Sequence, residues 1–254
     1  MEGKICLIKQ PAGLGDILLC QKIASSYVDK GFRVLWPVIS NYIFLKDYIV
    51  TRGVEFLDEK EDFLGKEIYL SNTLKILQKN NFLFIPLCTA DQFSYHNSML
   101  VSKFIFSNVE NYKDWADYFT LRRNLKREKY LENILRLPEK FNLINKRYGT
   151  PPQYEKYNNN IIVNNGNKNI EMNILGFDNP FDWCGVFEKA QEIHTVDTSL
   201  SLILTRLKLN NVNLYERINS GPHTYKLPTN NYLHKDFFPE SWKIFVSATT
   251  NGFW

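Results

Sequence analysis

Two short segments carry residue types able to do chemistry. The first is Pro11–Asp16 (PAGLGD), with Gly13, Gly15 and Asp16 close together. Glycines let a backbone turn tightly and approach a ligand, and a following helix offers N–H groups at its N-terminus. Asp16 falls at that helix start, where the helix dipole favours a carboxylate. The segment is not a Walker loop, because G-K-[ST] is missing. It is not a full G-x-G-x-x-G either, because Leu18 stands in the last glycine's place. The second segment is 190–203 (AQEIHTVDTSLSLI), a strand pattern, a polar loop and an apolar helix pattern. Thr198 and Ser199 offer hydroxyls and backbone N–H groups at a helix N-terminus, a site suited to a diphosphate. An ordinary N-cap explains one polar residue there. It does not require His194, Thr195, Asp197, Thr198 and Ser199 together.

The elements around these loops follow from periodicity. KICLIK (4–9) is apolar and β-prone and reads as a strand. In ILLCQKIASSYVDKG, Ile17, Leu18, Cys20, Ile23, Ala24, Tyr27 and Val28 recur at helical spacing, with Gly31 as the stop. FRVLWPV (32–38) reads as the next strand. Strand, glycine turn, helix and strand form a βαβ unit, which builds parallel sheets flanked by helices. Further strands are expected at Val54–Leu57, Glu67–Leu70 and Phe82–Leu87. Residues 95–109 read as a helix with Met99, Leu100, Phe104 and Ile105 as its apolar stripe. Residues 113–136 read as one long, partly exposed helix or two short ones, ended by Leu137-Pro138. The basic run Arg122–Lys129 reads as a solvated helix face rather than a nucleic-acid patch. Beyond it, KFNLINKRYG, Ile161–Asn164, Asn169–Gly176, EIHTV and VNLYER read as strands. NPFDWCGVFEKAQ reads as a helix with Pro180 in its first turn, DTSLSLILTRLKL as an apolar helix, and 239–248 as a final helix.

Composition bounds the class. The chain has 254 residues, 44% hydrophobic and 23% charged, enough to bury a core and exclude wholesale disorder. The formal charge of +4 suits an anionic ligand such as a phosphate and is too small to imply nucleic acid. No run reaches the roughly 18 apolar residues that span a bilayer, and the apolar stretch at the N-terminus is too short for a signal peptide. The four cysteines, Cys6, Cys20, Cys88 and Cys184, have no C-x-x-C spacing. These features lead us to expect a cytoplasmic protein with reduced thiols.

GLGDILLCQKIA resembles the N-terminal glycine loop and first helix of ADP-heptose heptosyltransferases and related GT-B glycosyltransferases, whose pattern is roughly G-x-[IL]-G-D-x-[LI]-L. EIHTVDTSLSLILTRLKL resembles their C-terminal motif, a strand ending in Asp-[ST]-Gly or Asp-[ST]-[ST] before an apolar helix. The departure is that Ser199 and Leu200 follow Thr198, where heptosyltransferases carry Gly and then His. The resemblance implies a GT-B-like α/β fold, two Rossmann-like domains with parallel sheets facing a central cleft. Residues 1–137 would be the acceptor domain and 138–235 the nucleotide-sugar domain. A tail of 236–254 would pack back on the first domain, and both domains would be trimmed versions of the fold.

The resemblance further implies a glycosyltransferase moving a sugar from a nucleoside-diphosphate sugar to a glycan or glycoconjugate hydroxyl, inverting and without a metal or resident cofactor. Thr198 and Ser199 would bind the diphosphate beside Asp197, with His194 and Thr195 at the donor edge. Asp16 would be the base that deprotonates the acceptor, with Gly13 and Gly15 shaping its loop. Lys146 and Arg147 would supply charge to the leaving phosphate. Asp91 and His96, after the strand at 82–87, stand as a reserve base, and His223, after VNLYER, as a further cleft residue. Two other readings remain open. One is a non-catalytic nucleotide- or glycan-binding module of the same fold. The other is a Rossmann-type enzyme using a nicotinamide or S-adenosylmethionine at Gly13–Gly15.

Overall fold

The computed structural model describes residues 4–58, 82–88, 98–148, 157–173, 179–217 and 235–245. The chain divides into two units, Met1–Arg122 and Arg123–Trp254. Each is an α/β unit built on a parallel sheet.

In the first unit, β1 (Ile5–Lys9) leads through a short turn into α1 (Leu14–Leu19) and α2 (Gln21–Asp29), then β2 (Arg33–Val38). The expected single helix is thus two, joined at Cys20. Gly31 has φ +87°, a left-handed stop at which any β-carbon would be strained. Next come α3 (Leu45–Tyr48), β3 (Ile49–Val50), β4 (Val54–Asp58), β5 (Leu83–Pro86) and α4 (Met99–Phe106). The sheet runs β4-β2-β1-β5, all parallel. Leu7 and Leu35 fill one face with Ile5, Leu57, Phe82 and Phe84 around them. Their neighbours Cys6, Ile8, Val34 and Trp36 are fully buried as well. Covered on both faces, β1 and β2 read as continuous apolar runs, as strands of parallel sheets do. The expected strand at Glu67–Leu70 lies outside the described residues.

Residues 113–136 follow the second expected arrangement, two short helical pieces, with a short strand between them. A 3₁₀ segment spans Tyr112–Tyr118, and β6 (Thr120–Leu121) pairs antiparallel with β3. Only then does α5 (Leu125–Leu135) begin, capped by the Asn124 side chain, which accepts from Arg127 N–H at 3.2 Å. The 3₁₀ segment is tied to α2 by Lys22, whose buried ammonium donates to the Asn111 carbonyl and to Asp114.

Helix α5 belongs with the second unit. Arg123 donates to Glu128 at 2.6 Å and Glu188 at 2.7 Å, and Arg127 donates to the buried Asp182 at 2.9 Å. These pairs fasten α5 to the segment 180–189, which explains why the division falls before α5 and not at Pro138. Three residues of the basic run, Arg123, Arg127 and Lys129, thus pair with carboxylates of their own unit. After α5 come β7 (Phe141–Asn145), β8 (Arg147–Tyr148), β9 (Tyr157–Asn158), β10 (Lys168–Glu171), a 3₁₀ turn with Pro180 first (Pro180–Trp183), α6 (Cys184–Lys189), β11 (Glu192–Val196), α7 (Ser199–Arg206), β12 (Val212–Tyr215) and β13 (Lys243–Phe245). The sheet order is β10-β7-β11-β12-β13, again parallel, and β8 and β9 form a small antiparallel pair.

Two expectations are corrected here. Ile161–Asn164 is not a strand: β10 already occupies the edge beside β7. Ile161 instead drops into a cluster with Ile144, Tyr148 and Val196. The expected helix at 239–248 is, in its described part, a turn followed by β13, because 243–245 pair with β12 in register Asn213↔Lys243. Trp242 anchors that edge by donating its indole N–H to the Leu209 carbonyl at 2.7 Å. The described tail thus extends the second unit's own sheet.

Candidate functional site

In an open parallel sheet, ligands bind beyond the carboxyl ends of the strands, where the winding direction reverses. In the first sheet the chain runs from β1 out through β2 to β4, and β5 returns on the other side of β1. The reversal therefore lies between β1 and β5, and Gln10–Asp16 emerges there. In the second sheet β10 lies on one side of β7 and β11 on the other. The reversal there lies between the ends of β7 and β11, which release Lys146 and Asp197.

The first loop is held from several sides. Ile39 N–H donates to the Pro11 carbonyl at 3.0 Å, and the Trp36 indole N–H donates to the Gln10 carbonyl at 3.0 Å. Leu87 N–H donates to the Lys9 carbonyl at 3.0 Å, tying the end of β5 to the loop's start. Gln10 turns its amide onto the Ala12 carbonyl at 2.6 Å. Gly13 has φ +84° and its carbonyl accepts from Ile17 N–H at 2.9 Å, so the helix starts directly from a left-handed residue. A β-carbon on Gly13 would lie 2.6 Å from Oδ2 of Asp16. Gly15 sits inside α1, one residue before Asp16.

Asp16 meets a partner that the sequence pattern hides. Lys103 on α4 sends its ammonium to Asp16 Oδ1 at 2.5 Å and to Gln10 Oε1 at 2.6 Å. Its side chain is 2% exposed, whereas that of Asp16 is 22% exposed. Burial alone drives an ammonium to shed its proton; the Asp16 carboxylate outweighs this and holds Lys103 above the ordinary lysine range. Cys20 borders the pair. Burial pushes its thiol up to about 12, so it stays neutral. Beyond β5, Cys88 is exposed, and burial raises its thiol too. One sequence feature does mark Lys103. It is a lone cation within the apolar octad MLVSKFIF, between Ser102 and Phe104, both fully buried. Such a lysine needs a carboxylate partner. Asp91, His96 and His223 lie outside the described residues.

In the second unit Thr198 is the N-cap of α7, its hydroxyl oxygen accepting from Leu200 N–H at 3.2 Å. Ser199 is the first helical residue. The Ser201 hydroxyl lies 2.6 Å from the Thr198 carbonyl and 3.3 Å from Asp197 Oδ1. Asp197 N–H donates to the Tyr215 carbonyl at 2.9 Å. Burial raises the Asp197 carboxyl above its ordinary range, against the opposing pull of Arg217 and Ser201. Arg217, not singled out by the sequence pattern, donates Nε–H to the Asp197 carbonyl and lies 5.6 Å over the Tyr148 ring. Its position two residues past β12 is the one signal that marks it.

The remaining expected residues have partners of their own. Lys146 pairs with Glu171 at 2.7 Å, and Arg147 reaches the same carboxylate at 3.4 Å. Thr195 lies within β11, fully buried, its hydroxyl accepting from Asn145 Nδ2 at 3.0 Å. His194, also within β11, sits between Glu192 (2.9 Å from Nε2) and the Tyr215 hydroxyl (3.0 Å from Nδ1). In the neutral tautomer with the proton on Nε2, Glu192 accepts and Nδ1 accepts from Tyr215. The structure thus brings Gly13 and Asp16 together in the first unit, and Asp197, Thr198 and Ser199 in the second.

No family model matches the chain, and no curated protein matches it. Among solved structures it is similar to "E. coli heptosyltransferase WaaC with ADP", at 10% identity over 97% of this chain and 94% of that one, with a TM-score of 0.38. Among the described residues, no helix is long and apolar enough to cross a membrane, and no three His, Cys, Asp or Glu side chains gather as a metal site would need.

Proposed function

We propose that this protein is a glycosyltransferase that moves a sugar from a nucleoside-diphosphate sugar to a hydroxyl of a glycan or glycoconjugate. The observation that carries the reading is Asp16: a carboxylate at the reversal point of a parallel sheet, part-exposed, with one oxygen ion-paired and the other at the glycine turn. In this reading the acceptor O–H gives its proton to Asp16. The acceptor oxygen forms the new bond to the anomeric carbon from the side opposite the leaving group. The bond to the diphosphate breaks, and its electron pair leaves with the phosphate. The product is inverted. A positioned base contributes roughly 10²–10⁴-fold to such a step.

The donor diphosphate is assigned to the start of α7. Thr198, Ser199 and the first N–H groups of that helix offer donors to an anion, and Arg217, Lys146 and Arg147 add positive charge near the same carboxyl end of the sheet. Stabilising the leaving diphosphate by such donors needs no metal in this reading.

The test is thermal stabilisation by UDP, GDP, ADP, CDP and dTDP, beside NAD and S-adenosylmethionine. A ligand at about 100 times its Kd adds ~2.7 kcal/mol. The reading expects a shift with one diphosphate that Thr198→Ala abolishes. A shift with NAD or S-adenosylmethionine alone, unaffected by Thr198→Ala, contradicts it.

A further inference from the structure

Among the described residues of the first unit, the two most deeply buried lysines are Lys22 and Lys103. Lys22 is spent on architecture: both its partners, Asp114 and the Asn111 carbonyl, lie in or beside the 3₁₀ segment it fastens. Lys103 is equally hidden, but its partners are Gln10 and Asp16, the two ends of the glycine loop. A buried cation is costly unless it is paired and hydrogen-bonded. Here it is both, on the one carboxylate of the loop that keeps partial exposure.

The two oxygens of Asp16 are not equivalent. Oδ1 accepts from Lys103 at 2.5 Å. Oδ2 lies where a side chain on residue 13 would stand, 2.6 Å from that ideal β-carbon position. Among the described residues, none donates a hydrogen bond to Oδ2. The missing side chain of Gly13 and the ammonium of Lys103 therefore do complementary things: one leaves room for Oδ2, and the other fixes the carboxylate by its far oxygen.

We propose that Lys103 is the positioning residue of the acceptor-activating carboxylate, holding Asp16 by Oδ1 and leaving Oδ2 as the atom that takes the acceptor proton. The assignment rests on the glycosyltransferase reading of Asp16. Lys103 itself touches no substrate. Gln10 is its second anchor and fixes the ammonium against the loop's first residue.

The experiment compares wild type with Lys103→Met, Lys103→Arg and Asp16→Asn, using turnover of UDP-, GDP-, ADP-, CDP- and dTDP-sugars. For Lys103→Met the expected result is a kcat lower by about a hundredfold and an unchanged KM for the donor. Lys103→Arg restores part of the loss by restoring the charge. A packing defect alone would not be rescued by restoring the charge in Lys103→Arg, and wild-type kcat in Lys103→Met overturns the proposal while leaving the base assignment intact. Activity in Asp16→Asn overturns the base assignment, and the positioning role falls with it. Should Lys103→Met fail to fold, the ammonium of Lys103 is followed by NMR in folded wild type and Asp16→Asn. Its titration must move from above the ordinary lysine range to below it; an unmoved titration overturns the pairing on which the proposal stands.

Discussion

Lys103 Nζ and Asp16 Oδ1 meet at 2.5 Å across 87 residues of sequence. The contact joins α4, the helix after β5, to α1, the helix after β1, on either side of the reversal in the first sheet. It places a charged pair, nearly closed on one side and part-open on the other, where parallel sheets bind ligands.

The pair has a pH signature in stability. Lys103 is raised in the folded chain, so its contribution is complete below its ordinary value of 10.5 and is lost as pH climbs through the raised value. In Asp16→Asn the opposing carboxylate is gone and burial, the largest influence on Lys103, pulls the folded value down. The folded state then binds fewer protons than the unfolded one, and stability rises with pH. Urea midpoints at about pH 7 and pH 10 should therefore show the difference between wild type and Asp16→Asn shrinking at the higher pH. A constant difference would mean that the ammonium is not electrostatically tied to Asp16.

Gly13→Ala should cost roughly 1–2 kcal/mol from its left-handed backbone and more from the 2.6 Å approach to Asp16 Oδ2. It should also lower transfer more than that stability loss explains, because the clash displaces the carboxylate. Denaturant unfolding and initial rates on the same sample separate the two. Full activity with lowered stability would mean that Oδ2 is not the reacting oxygen.

Thiol chemistry should divide the cysteines. Cys6, Cys20 and Cys184 are buried, and burial pushes each up to about 12; Cys88 alone is exposed. A disulfide reagent should titrate one fast thiol in the native chain and four in denaturant. The fast thiol should lag a free cysteine at a given pH and speed up as pH rises, because burial raises Cys88 and the thiolate is the nucleophile. A second fast thiol would show that a cysteine counted in the core is open to solvent.

Asp182 is the buried centre of the second unit's helix clamp. It accepts from Arg127 Nε at 2.9 Å and from Asn179 N–H at 3.2 Å, closing a capping box. Asp182→Ala removes a cap and the partner of Arg127 together. It should cost roughly 2–3 kcal/mol, read as a lower urea midpoint at unchanged m-value. A loss under half that size would place the clamp's weight on Arg123 and its two glutamates instead.

The parts of this architecture legible in the sequence are those encoded locally. β1, the glycine turn, α2 and β2 follow from apolar periodicity and from Gly31, and the strand 192–196 with its N-cap Thr198 follows likewise. What escaped depends on distant chain. Three residues of β13 have no period of their own and become a strand only because β12 offers its edge. Ile161 and Ile162 look like a strand, yet the first is core and the second is 71% exposed, with no ladder between them and β7. The candidate site divides in the same way. Asp16, Gly13 and Thr198 stand in recognisable loops. Lys103 and Arg217 acquire meaning only through contacts that close between separate elements.

The most direct test of the central claim is donor turnover. Wild type and Asp16→Asn are incubated with UDP-, GDP-, ADP-, CDP- and dTDP-sugars and a mixed oligosaccharide acceptor pool, and both nucleoside diphosphate release and acceptor mass are followed. The expected result is one donor consumed, one sugar added to acceptor for each diphosphate released, and a loss of ~10²–10⁴-fold in Asp16→Asn. No sugar added from any donor, or equal rates in the two chains, would contradict it.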